Sequence, residues 1–225
     1  MTATEPRPPA RELAMDVAGE RVVLRGDRSL FWPRRRWLIV ADLHVGKVQS
    51  LRRDGVALPD AVLTDDLQRL SRAVRASGAE RLLVLGDLVH DAHGLTPALV
   101  EMVAAWRAAL GTPISLVPGN HDQRVPALPD AWAIEQLSEV VDEGVFRFSH
   151  DLSPGAAFNW HGHIHPAVTL RGGVDRLRFP CFVVDDGEGI LPAFSALTGG
   201  DATPRATTAR HFPVVDDHVI ALPTR

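Results

Sequence analysis

Five short fragments of this chain offer carboxylate, amide and imidazole donors: Asp42 with His44, Asp87, Asn120 with His121, His150, and the run His161-Gly162-His163-Ile164-His165. Carboxylate oxygens mixed with imidazole nitrogens suit divalent transition metals. Alone, each fragment is weak, because an Asp-x-His triplet or a Gly-Asp pair is more often an ordinary turn. Together they are informative, since seven of the ten histidines lie in or beside these fragments. The donor count serves two ions. Asp42, His44, Asp87 and His165 make one set, and Asp87, Asn120, His150 and His163 the other, so that Asp87 is shared. With no thiolate in either set, manganese is expected first, with iron, zinc or nickel also compatible, over calcium, magnesium or a closed structural zinc. Two such cations about 3.5 to 4 Å apart would hold a bridging hydroxide as nucleophile in line with phosphorus and stabilise the oxygens around it. A phosphate ester is the expected substrate.

The elements that must position these donors can be read from periodicity. The apolar run Trp37 to Ala41 reads as a buried strand that stops at Asp42, Arg81 to Leu85 as a second that stops at Asp87, and Ile114 to Val117 as a third that stops just before Asn120. Helical spacing of Ala61, Leu63, Leu67, Leu70 and Val74, with Asp60 acidic at the front and Gly78 as a stop, predicts a helix over about 59–77. A second is expected over 97–110. This alternation is that of βαβ units, and ligand sites in such sheets lie beyond the carboxyl ends of the strands. Upstream, Arg21 to Arg25 and Leu30 to Trp32 suggest an antiparallel hairpin at a sheet edge. Beyond residue 130 short alternating segments near 140, 145–149, 168–170, 182–184 and 219–222 suggest a second, largely antiparallel sheet. Residues 1–19 read as a disordered tail and 20–225 as one domain.

Composition narrows the function further. A chain of 225 residues, 45% hydrophobic, can bury one sizeable core. Its net charge of −4 argues against a broadly basic nucleic-acid surface or a polybasic membrane anchor, so any nucleic acid must be gripped locally. Neither a secretory signal nor a stretch of about 20 apolar residues is present. With a single cysteine, Cys181, in an apolar stretch, a reducing, cytoplasmic setting without membrane attachment is expected.

The motifs DLH at 42–44, GD at 86–87, GNHD at 119–122, the lone His150 and GHIH at 162–165 resemble, in this order, the five motifs of calcineurin-like metallophosphoesterases. The resemblance implies an α/β fold, a four-layer αββα sandwich, with the two ligand sets given above and His121 contacting the phosphate and protonating the leaving oxygen. Stretches outside the motifs, FWPRRRWLIVADLHVGK, LRRDGVALP, GDLVHDAHGLTPALV and LPAFSALTGG, resemble the bacterial ligase-associated DNA damage response endonucleases over roughly residues 20 to 200. That family implies DNA as substrate and a functional association with a helicase, an exonuclease and a DNA ligase. His90 stands three residues after the shared aspartate, where the superfamily's protein phosphatases place an aspartate and its nucleases a histidine. It is expected to pair with His121 through its imidazole, which tilts the reading towards diesters.

The remaining residues admit plainer roles. His161 is expected to support the cluster or to face solvent rather than bind metal, and His93 to lie at the surface. Asp122 is expected to fix a turn through backbone hydrogen bonds. Lys47, Arg52 and Arg53 could hold substrate phosphates, with a solvated loop as the even alternative. Trp32 to Trp37, with Arg34, Arg35 and Arg36 between aromatic rings, has the ingredients for a single-strand grip, or else forms a hairpin corner. The rival functions are a small-substrate phosphoesterase acting on a phosphomonoester, cyclic nucleotide or nucleotide pyrophosphate, and a non-catalytic metal-bound repair scaffold.

Overall fold

The computed structural model describes residues 11–59, 61–172, 175–201 and 208–223, the side chain of residue 175 excepted. Two sheets pack face to face. The first runs in the order β1 (Glu12–Val17), β2 (Glu20–Arg25), β3 (Leu30–Trp32), β4 (Trp37–Val40), β5 (Arg81–Leu85), β6 (Ile114–Val117) and β7 (Glu135–Gln136). Its first four strands pair antiparallel, and from β4 to β7 the pairing is parallel. The parallel half needs crossovers, which are α1 (Lys47–Arg53) with α2 (Ala61–Ser77) and then α3 (Pro97–Leu110). α2 buries Leu63, Leu67, Leu70 and Val74 against β4, β5 and β6. α3 starts where Thr96 accepts a hydrogen bond from the Leu99 amide and ends at Gly111, whose φ of 73° is the left-handed region that glycine adopts freely. Asp60, expected to open α2, lies outside the described residues.

The expected tail needs correcting over 12–17. Leu13, Met15 and Val17 alternate inward from β1, Leu13 and Val17 are buried, and the strand pairs with β2 along its length. β1 therefore takes the sheet edge that the sequence assigned to the following hairpin; residues 1–10 lie outside the described set. The first turn of structure after Asp42, α1, was not expected, because seven residues are too few for a periodic signal.

The second sheet is built from β8 (Val140–Glu143), β9 (Phe146–Ser149), β10 (Phe158–His161), β12 (Asp175–Val184), β13 (Glu188–Ile190), β14 (Arg210–Val215) and β15 (His218–Val219), with β11 (Ala167–Gly172) paired to the first half of β12. Its centre, β9 with β10 and β10 with β13, is parallel, so the sheet is mixed where a largely antiparallel one was expected. Alternation splits β12: Phe182 and Val184 face the first sheet, in a core with Leu24, Trp32, Leu83, Phe148 and Trp160, while Cys181 and Val183 face outward. The fold is the expected two-sheet sandwich with outer helices. Among the described residues all three α-helices belong to the first half, and the outward face of the second sheet is covered by Ile164, Val168 and Ala209.

Candidate metal centre

The parallel strands of both sheets end at one edge, and every expected donor sits there. β4 runs into Asp42 and His44, β5 into Asp87, β6 into Asn120 and His121, β9 into His150, and β10 into His163 and His165. Short backbone hydrogen bonds zip the first two loops together: His44 N to Asp87 O and Val45 N to Leu88 O, both 2.8 Å. Of the eleven non-glycine residues with positive φ among those described, five are Asp42, His44, Asp87, His163 and His165. This left-handed backbone costs about 1–2 kcal/mol per residue and clusters where function demands it. Sharp turns let alternate residues aim at one point.

The motif glycines are explained by close approach. A Cβ on Gly86 would overlap the His150 ring, and one on Gly119 would overlap Asp87; on Gly162 it would stand 2.6 Å from the Ala41 methyl and 2.8 Å from Asp42 Oδ2. Asp122, buried under the site, accepts hydrogen bonds from Val89 N at 2.9 Å, Gly119 N at 2.9 Å and Leu88 N at 3.3 Å. It ties the loop carrying Asp87 to the loop carrying Asn120 and His121, the turn-fixing role expected of it. Burial raises its pKa, and these bonds partly counter that.

The donor atoms form two clusters. In one, His165 Nε2 lies 3.2 Å from Asp42 Oδ1 and 3.5 Å from His44 Nε2, which is 3.8 Å from Asp87 Oδ2. In the other, His150 Nε2 lies 3.0 Å from Asn120 Oδ1, 3.1 Å from His163 Nδ1 and 3.3 Å from Asp87 Oδ1. The two oxygens of Asp87 thus face different clusters. Donors bound at about 2.0–2.2 Å to one ion and roughly 90–110° apart are separated by about 3.0–3.5 Å, the spacing of every pair here except His44 with Asp87. A cation also resolves the hydrogen bonding. His150 Nδ1 donates to the Leu85 carbonyl at 3.1 Å, so in the neutral ring Nε2 is a lone pair, and it faces the carboxylate oxygen Asp87 Oδ1 at 3.3 Å. Two acceptors facing each other at that distance favour a positive ion between them, and the residues present fit one in each cluster.

Electrostatics agree with this. Burial, with Lys47 and the neighbouring histidines adding to it, holds His44 neutral with a pKa of about 2; a neutral ring is the form that binds metal. For His165, burial opposes protonation but the hydrogen bond and charge of Asp42 outweigh it, raising its pKa. Without a cation that site attracts a proton, which a cation would displace.

His90 sits differently from expectation. Its Nδ1 faces His44 Nδ1 at 3.4 Å, and its ring stacks on His121 at 4.9 Å and 21° instead of bonding edge to edge. His121 Nδ1 donates to the His90 backbone carbonyl at 2.5 Å. The pairing of His90 with His121 is therefore through the main chain, since the tight loop brings the carbonyl, not the ring edge, to His121. Asp91 lies 4.0 Å from His90 Nε2 and is held by Ser50 Oγ and Gly94 N. His90, whose Nδ1 faces His44 Nδ1, thus stands between Asp91 and that donor. Asp91 was missed by the sequence reading; its place directly after His90 was the available signal.

Among the tentative phosphate contacts, Lys47 opens α1 beside the clusters, where burial lowers its pKa against the pull of Asp87 and Asp42. Arg52 donates to the Leu58 carbonyl in its own loop, and Arg53 is exposed on the last turn of α1. His161 is buried and bonded to Glu188 Oε2 at 3.2 Å, outside both clusters, and His93 is exposed. The arginine patch is a hairpin corner: Arg34, Arg35 and Arg36 are ion-paired with Glu20, Glu143 and Glu80, Trp32 is core, and the corner lies at the opposite end of β4 from Asp42.

A family model described as Calcineurin-like phosphoesterase matches residues 35–195. Among solved structures, the nuclease MPE of Pseudomonas putida is 32% identical with a TM-score of 0.83, the alignment covering 94% of this chain and 100% of that one. No curated protein matched the chain by sequence.

Proposed function

The chain belongs to the calcineurin-like phosphoesterase family, and on that footing we propose that it is a two-metal phosphodiesterase cutting DNA in bacterial repair. Metal-dependent phosphoester hydrolysis comes with the family. The observation that carries the two-ion reading is Asp87, whose Oδ2 faces His44 and whose Oδ1 faces His150. Asp42, His44, Asp87 and His165 would hold one cation, and Asp87, Asn120, His150 and His163 the other. Bound there, divalent ions, manganese first, supply Lewis acidity that makes water a nucleophile near neutral pH and offsets charge on the phosphoryl oxygens.

The chain's own residues do the rest. Asp42 accepts from the His163 backbone N–H with both oxygens, at 3.2 and 3.3 Å, and so holds the GHIH turn in place for His163 and His165. Because His121 Nδ1 keeps its hydrogen on the His90 carbonyl, its proton exchange occurs at Nε2. That nitrogen lies 3.9 Å from Asp87 Oδ2 on a side chain one quarter exposed, where it can meet a phosphate from solvent and give a proton to the leaving oxygen. His90 acts as a positioning residue for His44, and Lys47 supplies a fixed positive charge beside the phosphate position.

DNA as the diester is supported by the likeness to a nuclease and by the stretches resembling ligase-associated repair endonucleases. A cytoplasmic setting and functional association with a helicase, an exonuclease and a DNA ligase belong to the same reading. Among the described residues no helix is long and apolar enough to cross a membrane. The test compares purified protein, with added manganese, on an aryl phosphodiester, an aryl phosphomonoester and supercoiled plasmid. Diester and plasmid cleavage is expected; a strict monoester preference would rule the reading out in favour of a small-substrate phosphoesterase.

A further inference from the structure

Beside His165 opens a pocket of about 280 Å³ whose walls include Arg28, Arg178, Pro180, Gly199 and Gly200, and among the described residues no carboxylate side chain lines it. On a chain of net charge −4 that is a local departure in sign. The pocket is built into the fold: Asp201 N donates to the His165 carbonyl and Ala167 N to the Asp201 carbonyl, both at 2.8 Å, and Gly200 packs so closely on Ala167 that a side chain there would overlap it. Arg28, on the far wall, donates to the Ser195 carbonyl at 3.1 Å and fixes the loop that leads into the pocket.

The same wall continues up the β11–β12 hairpin. Register places Ala167 opposite Pro180, Thr169 opposite Arg178 and Arg171 opposite Arg176. Because side chains alternate along a strand and register partners share a face, Arg178, Arg176 and Arg171 lie on the one face that runs from the pocket towards the hairpin tip. All three are exposed, and none hydrogen-bonds or ion-pairs with a described residue. Like charges directly opposite each other destabilise a hairpin. At the hairpin corner before β4, by contrast, Arg34, Arg35 and Arg36 are each paired with a glutamate. A row of cations with no counter-ion among the described residues, ending at a metal-centre histidine, is suited to an anionic ligand that extends away from the reacting phosphate.

We propose that this hairpin face and the pocket at its foot form a backbone-binding track for a polynucleotide, taking the phosphates that flank the scissile diester. The proposal rests on the phosphodiesterase reading and deepens it: the metal centre cleaves the ester, and the track selects a polymer over a small diester. An aryl phosphodiester fills only the scissile position and cannot reach it.

The test is the triple variant Arg171→Glu, Arg176→Glu, Arg178→Glu against the exposed control Arg72→Glu on α2. With manganese present, kcat/KM is measured on an oligonucleotide and on an aryl phosphodiester, and oligonucleotide binding is measured across salt concentration. The ratio of the two kcat/KM values should fall at least tenfold in the triple variant, mainly through KM, and be unaffected in the control. The slope of log affinity against log salt should flatten by about 2, since each lost phosphate contact removes about 0.7 from the slope for a single strand. An unchanged ratio with an unchanged slope, or an equal fall on both substrates, overturns the track. If the parent protein cleaves the aryl diester but no polynucleotide, the track is wrong while the phosphodiesterase reading stands; if it cleaves neither, both are wrong.

Discussion

Replacing Asp122 with alanine removes no metal donor, yet it should disable the centre. Its carboxylate, 5% exposed, satisfies three buried amides, those of Leu88, Val89 and Gly119, and through them fastens two donor loops to each other. Each orphaned buried donor costs about 1–3 kcal/mol. A water entering the vacated space could serve one or two of them, which leaves a loss of about 3 kcal/mol. For a chain of this length that lowers Tm by about 6–12 °C. Asp87 follows Gly86 into this loop, and misplacement of such groups by about 1 Å costs about 100-fold in rate. Calorimetry and hydrolysis of an aryl phosphodiester at saturating manganese would measure both. A Tm lowered by less than about 2 °C with rate unchanged would show that the loops hold their geometry without Asp122, and the account of the site's rigidity would be refuted.

Gly86→Ala drives a methyl into the His150 ring at a φ of 73°, so a loss of about 2–4 kcal/mol and weakened binding of one of two manganese ions are expected, read by denaturant titration and metal titration. Removing metal with a chelator should lower Tm: two sites each at about 100 times their Kd contribute roughly 5 kcal/mol together, and a scan with and without manganese reports it. The same metal titration should weaken as pH falls, because Asp42 favours protonated His165 and that proton must leave. Burial raises the pKa of Asp66, against the pull of Arg69 and the Ala196 amide. A carboxyl with a raised folded pKa contributes stability that is full below its unfolded pKa, about 3.9, and lost as pH rises through the folded value. Asp66→Asn should therefore flatten the decline in unfolding free energy on going upward from about pH 4; an unaltered slope would contradict the assignment.

The sequence by itself determined which donors exist and where the strands that carry them stop. Buried parallel strands are short, uninterrupted apolar runs, so Arg81–Leu85 and Ile114–Val117 could be bounded to the residue, and the polar residue that ends each run is the one that reaches the site. α3 was equally plain, because an apolar stretch opening at Pro97 is stopped by Gly111. What depended on tertiary structure was every relation between distant segments. That β9 and β10 run parallel, and so release His150, His163 and His165 at the same edge as Asp87, follows from sheet pairing that no local pattern encodes. The left-handed turns at Asp42, His44 and Asp87 are imposed by the loops zipping together, against the preference of those residue types. Whether a cation is free or spent was also decided in three dimensions. Arg34 to Arg36 look like a nucleic-acid grip until Glu20, Glu143 and Glu80, all remote in sequence, fold against them, whereas Arg171, Arg176 and Arg178 attract no notice until register places them on one face beside His165. Charge acts through space, and only the folded chain sets the distances.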